Sequence, residues 1–241
     1  MSVFERSSFV VVGHRGGRGE GWPLENTFGA FERAVKEGAD AIELDVRLCA
    51  TGEIVVFHDP DLKRMSGEQD RREVQRVSYL ELATKHRAPV LRDVVVFCND
   101  RRVGLNVEVK YDFVDRARLV RGVIRTLDEF PELDVIVSSF DPRILAYIRV
   151  ARPRLRLAML TTTERRWSLP LARVLAARRL VFAVHLERTQ AKPALVRAIR
   201  SRGVRVGVWT VNDPEEARAL RAAGANWVIT DAPGKMVRAR A

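Results

Sequence analysis

The chain has 241 residues, 46% hydrophobic and 30% charged, a length and balance that suit one globular domain with a sizeable core and leave no apolar run long enough to cross a bilayer. Its two cysteines, Cys49 and Cys98, are too few for a disulfide framework or a thiolate metal site, and they read as buried free thiols. The net charge is +11 and the sequence pI about 10.5, carried by 36 Arg and six Lys dispersed along the chain; with only 7% aromatic residues and no basic cluster, an arginine-biased composition accounts for this better than a nucleic-acid site does.

The opening residues "MSVFERSSF" lack the basic start, apolar core and small-residue cleavage site of a secretory leader, so a cytoplasmic protein is expected. "FVVVGH" (9–14) then reads as a strand with His14 and Arg15 at its tip, and Phe28, Phe31, Ala34 and Val35 follow it at helical spacing up to a terminating Gly38. "AIELDV" (41–46) is the second strand, and "TGEIVVFHD" (51–59) reads as an extra strand after a Thr-Gly turn. The polar stretch 60–88 breaks the rhythm, although Ser78 and Glu81 stand at capping-box spacing and predict a short helix. Further strands are predicted at "LNVEVK" (105–110), "VIVSSF" (135–140), "RLAMLT" (156–161), "VFAVHL" (181–186), "VRVGVW" (204–209) and "WVITD" (227–231), most of them separated by helical patterns. One of these helices has Leu195, Val196 and Ile199 before Gly203; the clearest has Asp213 as cap, Pro214 in the first turn, Glu215 and Glu216 at the positive dipole end, and Gly224 at the stop.

Strand and helix in alternation predict an α/β fold with a parallel sheet, and eight units in this length predict a closed (β/α)8 TIM barrel over residues 1–241, with a short rim insertion at about 51–100 after the second strand. An open doubly wound sheet is the alternative, weakened because no G-x-G-x-x-G follows the first strand. In a barrel, helices cover the outer face of every strand. Ile42, Leu44 and Val46 must then point outward and Glu43, Asp45 and Arg47 inward; Val107 and Val109 likewise alternate with Asn106, Glu108 and Lys110.

Three inward carboxylates, Glu43, Asp45 and Glu108, repel one another unless a positive charge joins them. Two arrangements satisfy them: a hard cation, Mg²⁺ or Ca²⁺, suited to all-oxygen ligands, or Arg47 and Lys110 as internal counter-ions. His14 ends the first strand and His58, with Asp59, ends the extra one, so both are expected at the C-terminal mouth where barrel enzymes do their chemistry; His86 and His185 take a structural reading. Arg15 adds a planar fork for phosphate oxygens and Lys110 a point charge, and the set predicts metal-assisted hydrolysis of a phosphate ester.

The motifs "HRGG" (14–17), "ENTF" (25–28), "ELD" (43–45), "VFHDPDLKR" (56–64), "VEVK" (107–110), "SSF" (138–140), "VWTVN" (208–212) and "TDAP" (230–233) together resemble the glycerophosphodiester phosphodiesterase family, in order and across residues 9–233. The resemblance implies a TIM barrel that hydrolyses glycerophosphodiesters, such as glycerophosphocholine or glycerophosphoethanolamine, to glycerol 3-phosphate and an alcohol. It implies that Glu43, Asp45 and Glu108 bind a divalent cation, that His14 and His58 are the acid–base pair, and that Arg15 and Lys110 contact phosphate. Trp209 is expected to line the glycerol side of the pocket, and Asn26, Thr27, Ser138, Ser139 and Asp231 are expected in capping and scaffold roles. Three places depart from the family pattern: Leu24 where Pro usually precedes the Glu, the rim segment "MSGEQDRREVQRVS", and Asn226-Trp227 for a commoner Asp-Gly. They bear on alcohol specificity more than on activity. The alternatives are a lysophospholipase D-type enzyme whose basic surface touches anionic membranes and, more remotely, a basic nucleic-acid-binding protein.

Overall fold

The computed structural model describes residues 2–6, 8–112 and 115–240. Eight parallel strands close on themselves: β1 (Val10–His14), β2 (Ala41–Leu48), β4 (Gly104–Val109), β5 (Val135–Ser139), β6 (Arg156–Leu160), β7 (Ala183–Glu187), β8 (Arg205–Trp209) and β9 (Trp227–Thr230), with β1 paired to both β9 and β2. The expected barrel is therefore present, and the open sheet is excluded by that closing pair. Around it run α1 (Phe28–Lys36), α3 (Leu91–Arg101), α4 (Arg116–Asp128), α5 (Pro142–Ala151), α6 (Ser168–Ala177), α7 (Pro193–Arg200), α8 (Pro214–Ala222) and α9 (Pro233–Arg240). The segment between β2 and α3 holds a short strand β3 (Ile54–Val56), a 3-10 turn and α2 (Tyr79–His86), whose Ser78 hydroxyl accepts a bond from the Glu81 amide as its capping-box spacing predicts.

The alternation read in β2 and β4 carries through to packing. Ile42, Leu44, Val46, Val107 and Val109 are fully buried in the apolar layer between sheet and helices, while Glu43, Asp45 and Glu108 are buried on the other face. The pairing register stacks the inward side chains in layers of four drawn from alternate strands. Val12, Asn106, Ala158 and Gly207 share a low layer, Glu43, Ser138, His185 and Ile229 the next, and His14, Glu108, Leu160 and Trp209 the one above, with Asp45 higher still. Below them Phe4 closes the N-terminal end, its ring edge-on to Trp227 at 5.5 Å between centroids. Going up, the interior changes from apolar to polar to charged, so ionisable groups are concentrated at the C-terminal mouth.

Helix punctuation is as predicted: Gly38, Gly203 and Gly224 all take positive φ at helix ends, and Asp213 caps α8 by accepting a bond from the Glu215 amide at 2.9 Å. The helix α9 lies beyond the last motif and was not singled out by periodicity.

Candidate active site

The stretch "GHRGG" makes a tight turn directly off β1. The Gly16 amide donates to Gly13 O at 3.1 Å, and a Cβ on Gly13 would lie 2.2 Å from that Gly16 carbonyl oxygen. Gly16 has φ +87°, and Arg15 itself sits in the left-handed region at φ +53°, a conformation that a non-glycine side chain adopts at an energetic cost. The turn aims the Arg15 amide at Glu43 Oε2 (2.9 Å) and its guanidinium at Glu25 Oε1 (2.9 Å) and Asp45 Oδ2 (3.3 Å).

Glu43, Asp45 and Glu108 each place one carboxylate oxygen within 4.8 Å of the others. Lys110 Nζ donates to Asp45 Oδ1 and Glu108 Oε1, both at 2.6 Å, and Asn26 Nδ2 donates to Asp45 Oδ2 at 2.9 Å. The three acids are therefore not equivalent. Against the cost of burial, Lys110 and Arg15 hold Asp45 far below the usual carboxylate range. Burial, with the Asp45 and Glu108 charges beside it, pushes Glu43 well above that range. Of the two counter-ions expected from the alternation, Lys110 acts as one and Arg47 does not. The Arg47 guanidinium is taken up higher in the mouth, donating to the His58 carbonyl at 2.7 Å and to Asp112 at 2.9 Å.

Both histidines reach the mouth, but by different routes. His14 comes directly off β1, where Asp231 Oδ1 accepts from its Nδ1 at 2.7 Å and its Nε2 lies 4.0 Å from Glu43 Oε2. Burial lowers the His14 pKa, partly offset by Asp231, so the ring is neutral near pH 7. His58 arrives from above, because β3 is antiparallel to β2 (Val46 opposite Val56) and descends into the mouth, so it reaches the expected end on a strand of opposite direction. β1 pairs with β2 only as far as Glu43, leaving the upper edge of β2 open on that side. The Asp45 carbonyl there accepts from the Phe57 amide at 2.9 Å, setting His58 at the level of the carboxylates. Asp59 Oδ1 accepts from His58 Nδ1 at 2.6 Å, and Asp59 Oδ2 accepts from Arg64 Nε at 2.7 Å. Despite burial, these bonds hold Asp59 down at about 2.

Trp209 is half-buried, its ring edge-on to Phe140 at 5.6 Å. With His58, Glu108, Lys110 and Tyr111 it lines a cavity of about 290 Å³ opening at the mouth. His86 packs edge-on against Phe57, and His185 lies fully buried in the barrel, so neither belongs to the site. Of the residues expected as scaffold, Ser139 fits: its hydroxyl donates to Val109 O and accepts from the Asp141 amide. Asp231 and Asn26 support side chains instead of backbone, one holding His14 and the other Asp45. Glu25, the first residue of the "ENTF" motif but given no role from sequence, accepts from Arg15, Arg18 and Arg64, and motif reading missed Asp112, which accepts from Arg47. Strand parity was the available signal for Asp231, because Trp227 and Ile229 of the same strand both face inward.

Residues 14–235 match the model of the glycerophosphoryl diester phosphodiesterase family. The chain is similar to the glycerophosphodiester phosphodiesterase of Caldanaerobacter subterraneus subsp. tengcongensis, at 29% identity over 95% of this chain and 96% of the relative. Among solved structures it is similar to the glycerophosphodiester phosphodiesterase of Thermotoga maritima, with 27% identity, a TM-score of 0.80, and coverage of 97% of this chain and 99% of that one. A phosphodiesterase of Oleispira antarctica, solved with its product sn-glycerol-3-phosphate, shares the fold at a TM-score of 0.84 and 22% identity, with coverage of 95% and 96%.

Proposed function

This chain belongs to the glycerophosphoryl diester phosphodiesterase family, and we propose that it hydrolyses glycerophosphodiesters of the glycerophosphocholine or glycerophosphoethanolamine type to glycerol 3-phosphate and the free alcohol. The observation that carries this reading is a pair of imidazoles, each held through Nδ1 by its own carboxylate, at the mouth that also holds three buried acids, Arg15 and Lys110. An Nδ1–H bonded to carboxylate leaves Nε2 as the reactive nitrogen. One of His14 and His58 takes the proton of the attacking hydroxyl and the other delivers a proton to the leaving alkoxide; attack by water gives glycerol 3-phosphate directly, and attack by the substrate's own glycerol hydroxyl gives a cyclic phosphate that water then opens.

Glu43, Asp45 and Glu108 suit a hard divalent cation, Mg²⁺ or Ca²⁺: the donors are all oxygen, Lys110 contacts Asp45 and Glu108 only, and a cation beside Glu43 would offset the burial and repulsion that raise its pKa. Such an ion, when bound, polarises a phosphoryl oxygen and offsets charge at the transition state. Arg15 orients the phosphate from its strained turn, and Lys110 contributes when one of its two carboxylate contacts is exchanged for a phosphate oxygen. Trp209 and Phe140 form an apolar wall against the glycerol carbons.

The test is glycerol 3-phosphate release from glycerophosphocholine and glycerophosphoethanolamine after EDTA stripping, then with Mg²⁺ or Ca²⁺ restored. Release that EDTA abolishes and metal restores is expected, and Glu43→Gln should raise the metal concentration needed. Release indifferent to EDTA sinks the metal assignment, and no release from either diester sinks the substrate class.

A further inference from the structure

The arginines of this chain are not dispersed once they are sorted by element. Residues 142–205, from α5 to β8, hold sixteen Lys and Arg against two acids, Glu164 and Glu187; that net +14 exceeds the +11 of the whole chain and leaves the other 177 residues at −3. The exposed Arg166, Arg173, Arg178, Lys192, Arg197 and Arg202 have no ion-pair partner among the described residues. The same stretch carries five of the eight large apolar side chains that are exposed among the described residues: Tyr147, Val150, Trp167, Val174 and Leu180. Consecutive helices of a barrel are neighbours, so α5, α6 and α7 form one continuous flank, with exposed apolar side chains on α5 and around α6 and unpaired cations around α6 and α7.

We propose that the α5–α7 flank docks on an anionic lipid bilayer. Each basic side chain held near such a surface strengthens partition about fivefold, and exposed apolar groups beside them gain by entering the headgroup boundary. Trp167, with an apolar ring and a polar edge, suits that boundary. It also marks the rim: the Arg165 guanidinium stacks 4.0 Å over Tyr111 and 5.9 Å from the Trp167 ring, and Arg165 and Tyr111 line the cavity that holds His58 and Lys110. Docking by this flank therefore sets the cavity mouth at the edge of the membrane contact. A second copy does not fit, because two faces of unpaired cations repel. Nucleic acid would use the arginines but draws nothing from Val150, Val174 or Leu180.

The experiment is sedimentation of the intact protein with phosphatidylcholine vesicles, with and without phosphatidylglycerol, at low and high salt. Wild type should bind the anionic vesicles alone and release them at high salt. Arg166→Gln/Arg173→Gln/Arg178→Gln/Arg197→Gln should weaken partition by more than about a hundredfold, as four charges at fivefold each imply, with an unchanged thermal melt. Val150→Ser/Val174→Ser should weaken it less and keep its salt dependence. Equal behaviour on both vesicle types overturns the proposal from wild type alone, as does binding to duplex DNA tighter than to the vesicles, or wild-type partition in the folded charge variant.

Discussion

Asp231 is the residue on which the site depends most for its size, because it accepts from His14 Nδ1 and from Arg18 at once, and against burial these bonds hold its carboxyl well below the usual range. Asp231→Asn should leave the fold intact and lower kcat about a hundredfold with little change in KM, by loosening the imidazole; steady-state kinetics on a soluble diester check this. Asp59→Asn should act in the same way through His58, and a KM change without a kcat change in either variant would place these acids on the substrate instead. Glu25→Gln frees Arg15, Arg18 and Arg64 from their common partner, and its main expected effect is a severalfold higher KM. The residues proposed to react could be picked out from the sequence, since His, Arg, Lys and acids at strand ends announce chemistry by type. Asp59 stood beside His58 in the chain, whereas the pairing of Asp231 with His14, 217 residues away, is made only by closure of the barrel.

At the scale of elements, two local rules carry the geometry. Gly13→Ala should destabilise by about 3 kcal/mol or prevent folding, because the added Cβ meets a backbone carbonyl that has nowhere to move; urea unfolding measures it. Asp213→Ala removes the cap of α8 and should cost only about 1 kcal/mol. Capping residues, helix-ending glycines and the Thr-Gly turn could be read from sequence because each satisfies its backbone groups within a few residues. The direction of β3 could not be. A run of alternating residues looks the same whether it climbs or descends, and the open upper edge of β2 that decides the question is set by how far β1 pairs.

The whole molecule adds what neither scale shows. His185 lies in the barrel interior, where burial holds its pKa down to about 3; its Nε2 accepts from Trp227 Nε1 at 3.3 Å, and its Nδ1 has no partner among the described residues. The folded state thus binds its proton less readily than the unfolded chain, whose imidazole titrates near 6.5. The contribution is full above pH 6.5 and is lost as pH falls toward 3, at up to about 1.4 kcal/mol per unit. Urea melts of wild type and His185→Gln should diverge progressively below pH 6.5, and parallel curves would remove His185 as the cause. The charge asymmetry is also a whole-molecule property: every arginine was visible in the sequence, but a total of +11 hides a +14 segment, 142–205, beside a −3 remainder. The central claim, that His14 and His58 serve cleavage of a glycerophosphodiester on its alcohol side, is tested most directly by phosphorus NMR of glycerophosphoethanolamine incubated with the metal-loaded protein and with His14→Ala. The account predicts conversion to glycerol 3-phosphate that the variant slows at least a hundredfold. Phosphoethanolamine as the product, or equal turnover by the variant, would contradict it.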